Sequence, residues 1–388
     1  MWKLTKVAAV AAALAAAVAA HAGEVEVLHY WTSGGEAKSA AELKKMMQAK
    51  GHTWRDFAVA GGGGDSAMTV LKSRVISGNP PSAAQVKGPA IQEWASEGVL
   101  GNMDALAKSE KWDEALPKVV ADVMKYKGNY VAAPVNVHRV NWIWASSDAL
   151  KKAGVAAMPK TWDEFFAAAD KLKAAGLIPV AHGGQNWQDF TTFESVVLGV
   201  GGPKFYQDAL VKLDDKALTS DTMKKSLETF RRIKSYTDPG APGRDWNLAT
   251  AMLIQGKAGF QLMGDWAKGE FIAAGKAPGK DFMCAAAPGT ANAFTFNVDS
   301  FILFKLKDAA AQKAQSDLAS AIMSPGFQEV FNLNKGSIPV RAGQSMDKFD
   351  DCAKASAKDF ADTAKSGGLV PSVAHGMAIA PATEGAIK

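Results

Sequence analysis

The stretch from Val25 to Ala60, VEVLHYWTSGGEAKSAAELKKMMQAKGHTWRDFAVA, decides the fold class. Val25–Tyr30 is a β-rich run, and Trp31–Gly35 is the loop that follows it. Leu43, Met46 and Met47 fall on one face of a helix over Glu36–Lys50, which Gly51 stops. Trp54–Ala60 reads as the next strand. The alternation continues outward. Asp65 can N-cap a helix over Ser66–Ser77, with Val70, Leu71, Arg74 and Val75 as its buried stripe. Pro80-Pro81 breaks the chain, Ala83–Val86 is a short strand, and Pro89–Glu97 is a helix. Strand, loop and helix alternating at this spacing predict an α/β lobe with a mainly parallel sheet.

A second series begins further along. Tyr130–Val137 is an extended run interrupted by Pro134, and Val140–Ala145 is a strand. The helix over Thr161–Ala175 opens with Thr161 and Glu164 in capping-box spacing, and Gly176 ends it. A long helical middle, Phe190–Thr237, closes at Asp238-Pro239-Gly240. A strand over Ala258–Met263 precedes Gly264-Asp265-Trp266. Phe294–Phe304 reads as one extended run, and Lys307–Ile322 as a helix. The prediction is two α/β lobes, with the chain crossing between them more than once.

The chain has 388 residues, 48% of them hydrophobic, enough for two or three globular lobes. Lys+Arg exceed Asp+Glu by 44 − 39 = 5, without a basic run, so nucleic acid is not an expected partner. No interior stretch approaches the roughly 20 apolar residues of a membrane span. Met1–Lys6 carries two lysines, Val7–Ala20 is a solid Ala/Val/Leu run, and Ala20-His21-Ala22 is a small-residue cleavage site. Together they predict a secretory signal peptide over residues 1–22, with the mature protein starting at Gly23 in the periplasm. In such an oxidising compartment, Cys284 and Cys352, the only two cysteines, are expected to be bonded to each other.

Catalytic and cofactor motifs are absent. Gly61–Gly64 is not followed by Gly-Lys-Ser/Thr, and Asp65 would repel a phosphate there. There is no dinucleotide fingerprint after a strand, no G-x-S-x-G, no H-E-x-x-H, and no histidine pair at metal-ligand spacing. No cofactor, metal or enzymatic activity is expected.

Met158-Pro159-Lys160-Thr161-Trp162-Asp163-Glu164-Phe165 resembles the P-x-T-W-D-E-L helix start of extracellular sugar-binding proteins of ABC importers. Tyr130–Val137 with Asn141-Trp142-Ile143-Trp144 is similar to that family's first crossover between lobes. Gly256-Lys257-Ala258-Gly259 leading to Met263-Gly264-Asp265-Trp266 resembles its G-K-A-A-M…G-x-W segment, and Tyr30-Trp31-Thr32 its opening strand and loop. Lys335–Arg341 and Gln85–Gly88 resemble the glucose- and mannose-binding branch. The resemblance implies a two-lobed periplasmic binding protein fold of type II, maltose-binding-protein-like, closing over its ligand. The N-terminal lobe would comprise residues 23–133 and 300–340, and the C-terminal lobe 134–299 and 341–388. A monomer that captures a monosaccharide, D-glucose first, and delivers it to membrane permease subunits is the function implied. Disaccharides and polyols are the alternative ligands; a secreted carbohydrate-active enzyme using Glu36 and Asp299 is a remoter one.

A hexose offers apolar C–H faces and a ring of hydroxyls, so its site needs flat aromatics and fixed donors and acceptors. Trp31 and Trp266 follow predicted strands, where α/β folds place ligands, and the resemblance makes them sugar platforms. Asp299, in an apolar run, needs partners: adjacent sugar hydroxyls or a structural cation. Lys335, Lys87 and Gln85 are candidate polar contacts. Glu36 is a candidate acceptor, although a helix start welcomes an acid regardless of function. His375 is a packing histidine by default and a donor to a ring hydroxyl by resemblance. Alanine at Trp266 or Asp299 is expected to weaken sugar binding and leave the melting temperature nearly unchanged.

Overall fold

The computed structural model describes residues 22–387; the signal-peptide reading falls almost wholly on residues outside that range. Strand β1 (Glu24–His29) leads into helix α1 (Gly34–Ala49), strand β2 (Thr53–Ala58), helix α2 (Asp65–Ile76) and strand β3 (Ala83–Val86). Strands β4 (Ala132–Pro134), β5 (His138–Arg139) and β6 (Trp142–Ser146) follow, then helix α3 (Trp162–Ala174), strand β7 (Ile178–Val180) and the long helix α4 (Asn186–Tyr206). The later elements are β8 (Ala258–Leu262), α5 (Ala267–Ala273), β9 (Phe282–Ala286), β10 (Phe294–Asn297), β11 (Ser300–Leu303), α6 (Pro325–Lys335), α7 (Asp351–Ser366) and β12 (Leu369–Pro371).

Two lobes, each a sheet with its own apolar core, account for these elements. The first sheet runs β2-β1-β3-β11-β4, with β1 parallel to both β2 and β3 and β11 antiparallel to its neighbours. Val25, Val27, Leu43, Phe301 and Phe331 lie in the core around it. The second sheet runs β9-β6-β8-β7. Ile143, Phe165, Leu172 and Phe260 form its core on the α3 side, and Trp144, Phe271 and Phe282 a second cluster. A third, three-stranded sheet, β12-β10-β5, sits where the chain passes between the lobes. Cys284 of β9 and Cys352 of α7 are disulfide-bonded, as expected from the sequence.

Local chemistry explains most element starts. At α3 the Thr161 hydroxyl accepts from the Glu164 N–H at 3.2 Å, and Glu164 Oε2 accepts from the Thr161 N–H at 3.3 Å: the capping box is formed. At α2 the sequence reading is corrected. Gly64, at φ 115°, is the N-cap, and Asp65 is the first helical residue. Gly61, Gly63 and Gly64 all take positive φ, which swings the chain into the helix one residue early. A Cβ on Gly63 would also press on the Trp187 indole at 3.2 Å, so this loop reaches the other lobe.

Phe294–Phe304 is the second correction. The single extended run is two strands in two sheets: β10 pairs with β5 and β12, and β11 with β3 and β4. The break falls at Val298-Asp299, so Asp299 sits at the crossing between lobes. Register then assembles the site. Ser300 opposes Val86 and Pro134 in the first sheet, which puts Asp299 beside Lys87 and Val135. Asn297 opposes His138 in the third.

Candidate functional site

Between the lobes lies a cavity of about 330 Å³, built from the ends of strands in all three sheets. Seven of the eight residues expected from the sequence line it: Trp31, Glu36, Lys87, Trp266, Asp299, Lys335 and His375. Gln85 does not. It is fully buried behind the floor, where its Nε2 donates to Asp299 Oδ1 at 3.2 Å and its Oε1 accepts from the Tyr30 N–H at 3.2 Å. Its place on β3 points it into the sheet's layer, so it orients Asp299 rather than facing the cavity.

Each lobe contributes an aromatic wall. Trp31 follows β1 and is braced by Phe301 and Phe331, with ring centroids 5.5 and 5.0 Å away. Trp266 follows β8 and stands edge-on to His138 and His375, at 5.2 and 4.8 Å. Both are at least nine-tenths buried, so the faces they show are those that border the cavity.

The floor is charged. Asp299 Oδ2 meets His138 Nε2 at 3.0 Å and accepts from Asn136 Nδ2 at 3.3 Å. His138 Nδ1 in turn makes a short contact with Asp265 Oδ1. Burial alone would lower the His138 pKa, but Asp265 and Asp299 outweigh it and raise it. Burial would likewise raise the Asp299 carboxyl, yet His138, Lys335 and Lys87 together hold it well below the usual carboxylate range. The floor is thus an imidazole between two carboxylates, which favour its charged form. A carboxylate accepts about four hydrogen bonds. Gln85, His138 and Asn136 take three, leaving Asp299 one acceptor position for a ligand.

On the near side Lys335 donates to Glu36 Oε1 at 2.7 Å, and Glu36 Oε2 accepts from the Ser33 N–H at 3.4 Å. Glu36 therefore serves the start of α1 and the cavity together. His375 is neither a mere packing residue nor a simple donor. Its Nε2 lies 2.9 Å from the Thr191 hydroxyl, whose own proton goes to the Trp187 carbonyl at 2.7 Å. That directs Nε2–H to Thr191.

Sequence reading missed several lining residues. His138, Tyr30, Ser33, Asn297 and Trp246 all border the cavity. Tyr30 and Ser33 flank Trp31 and were legible by adjacency. Asn297 lies two residues before Asp299. His138 and Trp246 carry no local signal, because distant strand pairing places the one and the packing of a helix starting at Trp246 the other. Trp187 and Gln185 also border the cavity.

Two of these groups, the Tyr30 hydroxyl and Asn297 Oδ1, are buried polar atoms without a hydrogen-bond partner among the described residues. What the arrangement can do is hold a neutral, flat-faced, many-hydroxyl molecule without chemistry.

Comparison with known proteins agrees with this fold. Residues 29–320 match the model of the family described as bacterial extracellular solute-binding protein. Along all of this chain and 93% of its relative, it is 50% identical to a protein of Rhizobium meliloti (strain 1021) named "Probable sugar-binding periplasmic protein". Its fold is similar to that of the bacterial solute receptor AcbH, at TM-score 0.76 and 19% identity over 94% of this chain and 91% of that one. It is also similar to maltose-bound MalE3 of T. maritima, at TM-score 0.70 and 18% identity over 90% and 89%. The chain belongs to the bacterial extracellular solute-binding proteins.

Proposed function

We propose that this protein captures a monosaccharide, D-glucose first among the candidates, in the periplasm and delivers it to the permease of an ABC importer. The carrying observation is one cavity between two tryptophan walls, above a charged floor and with Tyr30, Ser33 and Asn297 on its lining. Sugar hydroxyls would meet the polar and charged lining, and the ring's C–H faces would cover Trp31 and Trp266. The cavity is at the small end of small-molecule sites, which favours one sugar ring over an oligosaccharide. The Rhizobium relative's name supports a sugar ligand and a periplasmic setting. Closure of the lobes would be a population shift that the permease reads.

The test is calorimetric titration of the mature protein, stripped of carried sugar, with D-glucose, mannose, galactose, xylose and maltose. One-to-one D-glucose binding at about −8 kcal/mol or tighter, with a change in tryptophan emission, is the expected result. Tight binding of another hexose would keep the class and replace the ligand. A second reading, a disaccharide ligand, draws on an adjoining cavity of about 410 Å³ that shares Tyr30, Lys87 and His375 with the first. Maltose displacing glucose at comparable concentration would favour it.

A further inference from the structure

The turn that carries His375 is held by a carboxylate that does not line the cavity. Glu194, midway along α4, is completely buried. Its Oε1 accepts from the Ser372 hydroxyl at 2.6 Å. Its Oε2 accepts from the Tyr206 hydroxyl at 2.8 Å and from the backbone N–H groups of Val373 and Ala374 at 2.9 and 3.1 Å. The Ser372 hydroxyl oxygen accepts in turn from the His375 N–H at 3.2 Å. One helical turn earlier on α4, Thr191 holds the His375 ring. A single helix therefore grips both the backbone approach to His375 and its imidazole.

The far side of the turn is tied to the other lobe. Val373 and Ala374 pack with Val197, Leu198 and Tyr206 of α4, whereas Met377 joins the core of the first lobe. Gly376 lies so close to that lobe that a Cβ on Gly88 would sit 2.1 Å from its carbonyl oxygen. His375 hangs between the two anchorages. Nothing in this reading requires Glu194 to meet the ligand.

We propose that Glu194 is a positioning residue for sugar binding: by fixing the Ser372–Ala374 turn it sets where His375 meets the ligand. This rests on the reading of His375 as a sugar contact. Burial pushes the Glu194 carboxyl up to about 7 against its four donors, so an ionised group here is costly. Replacing it by an apolar residue would leave the Ala374 N–H unpaired and the Val373 N–H with only the Tyr206 hydroxyl at 3.2 Å, and Gln keeps the shape while exchanging an acceptor for a donor.

The experiment uses the mature protein at pH 8, with D-glucose as probe, in wild type, Glu194→Gln, His375→Ala and the double variant. Tyr206→Phe, which removes one donor to Glu194 without touching His375, is the second probe should Glu194→Gln fail to fold. Ring nitrogen NMR of His375 is recorded without sugar. Glu194→Gln is expected to shift the His375 ring signals and to weaken glucose binding about tenfold, with no further weakening in the His375→Ala background. Unchanged ring signals would overturn the proposal, and they decide it alone if glucose does not bind the wild type. Equal weakening in both backgrounds would also overturn it, since Glu194 would then act on the fold at large. If His375→Ala binds as the wild type does, the reading of His375 fails and the positioning role with it. If His375→Ala is weak while Glu194→Gln is not, the proposal fails alone.

Discussion

Asp299 is held on every side by the protein before any sugar arrives, which changes what its removal should do. The simple expectation, weaker binding at an unchanged melting temperature, belongs to a residue that serves only the ligand. Asp299 also partners the buried ring of His138, and when that ring is charged, removing one member of the buried pair costs about 3–5 kcal/mol. Trp266, packed on His138 and His375, is bound into the structure in the same way. Alanine at either position should therefore lower the melting temperature as well as the affinity. The floor also carries a pH dependence with a definite sign. Because the folded His138 pKa is raised, its stabilisation is fully present below about 6.5, the ordinary imidazole value, and is lost as pH rises through the raised one. Thermal denaturation from pH 6 to 10 should show the wild type losing its advantage over His138→Gln on the alkaline side. A difference that stays constant with pH would mean the ring is neutral throughout.

Elements differ in how openly the sequence announces them. The α3 capping box, the β1–α1–β2 alternation and the Ala83–Val86 strand are local patterns, and each was legible because its causes lie within a few residues. The split of Phe294–Phe304 was not, since hydrophobicity is the same on both sides of Asp299 and only the pairing partners differ. The disulfide is the element-scale feature with the largest measurable effect. It joins β9 to the first turn of α7 across a sequence separation of 68, worth about 4 kcal/mol in the loop-entropy account. Reduction should lower the melting temperature by several degrees and release two thiols per chain. Sugar affinity should hold within about twofold, because neither cysteine lines the cavity. A large loss of affinity on reduction would show that α7 sets the lobe orientation.

At the scale of the whole molecule, the lobes meet along a seam where backbone touches backbone. A Cβ on Gly269 of α5 would lie 2.8 Å from the Asn334 carbonyl oxygen, and one on Gly35 of α1 would lie 2.7 Å from Gly269 itself. Gly336, at φ 90°, closes the third side against Asp265. Here Glu270 of α5 accepts from the Gly35 N–H at 2.8 Å, at the N-terminus of a 16-residue helix whose dipole favours that carboxylate. Gly269→Ala should prop the lobes apart, weakening glucose binding about tenfold or more while each lobe stays folded. Small-angle scattering with saturating sugar should then show a larger radius than the wild type; equal radii would mean the seam yields elsewhere.

The sequence by itself determined the α/β class, the two series of alternating elements, the pairing of the two cysteines, and seven residues that meet in one cavity. These rest on local periodicity, on capping, and on aromatic and charged residues placed just after strands, all of which act over a few positions. The tertiary structure alone decided that Gln85 stands behind Asp299, that His138 lies between two aspartates, and that Glu194 grips the turn bearing His375. Those partners lie 214, 127 to 161, and 178 to 180 residues apart, respectively, and only strand register and lobe packing bring them within hydrogen-bond reach. A hydrogen bond depends on tenths of an ångström, and no pattern along the chain carries that information across such separations.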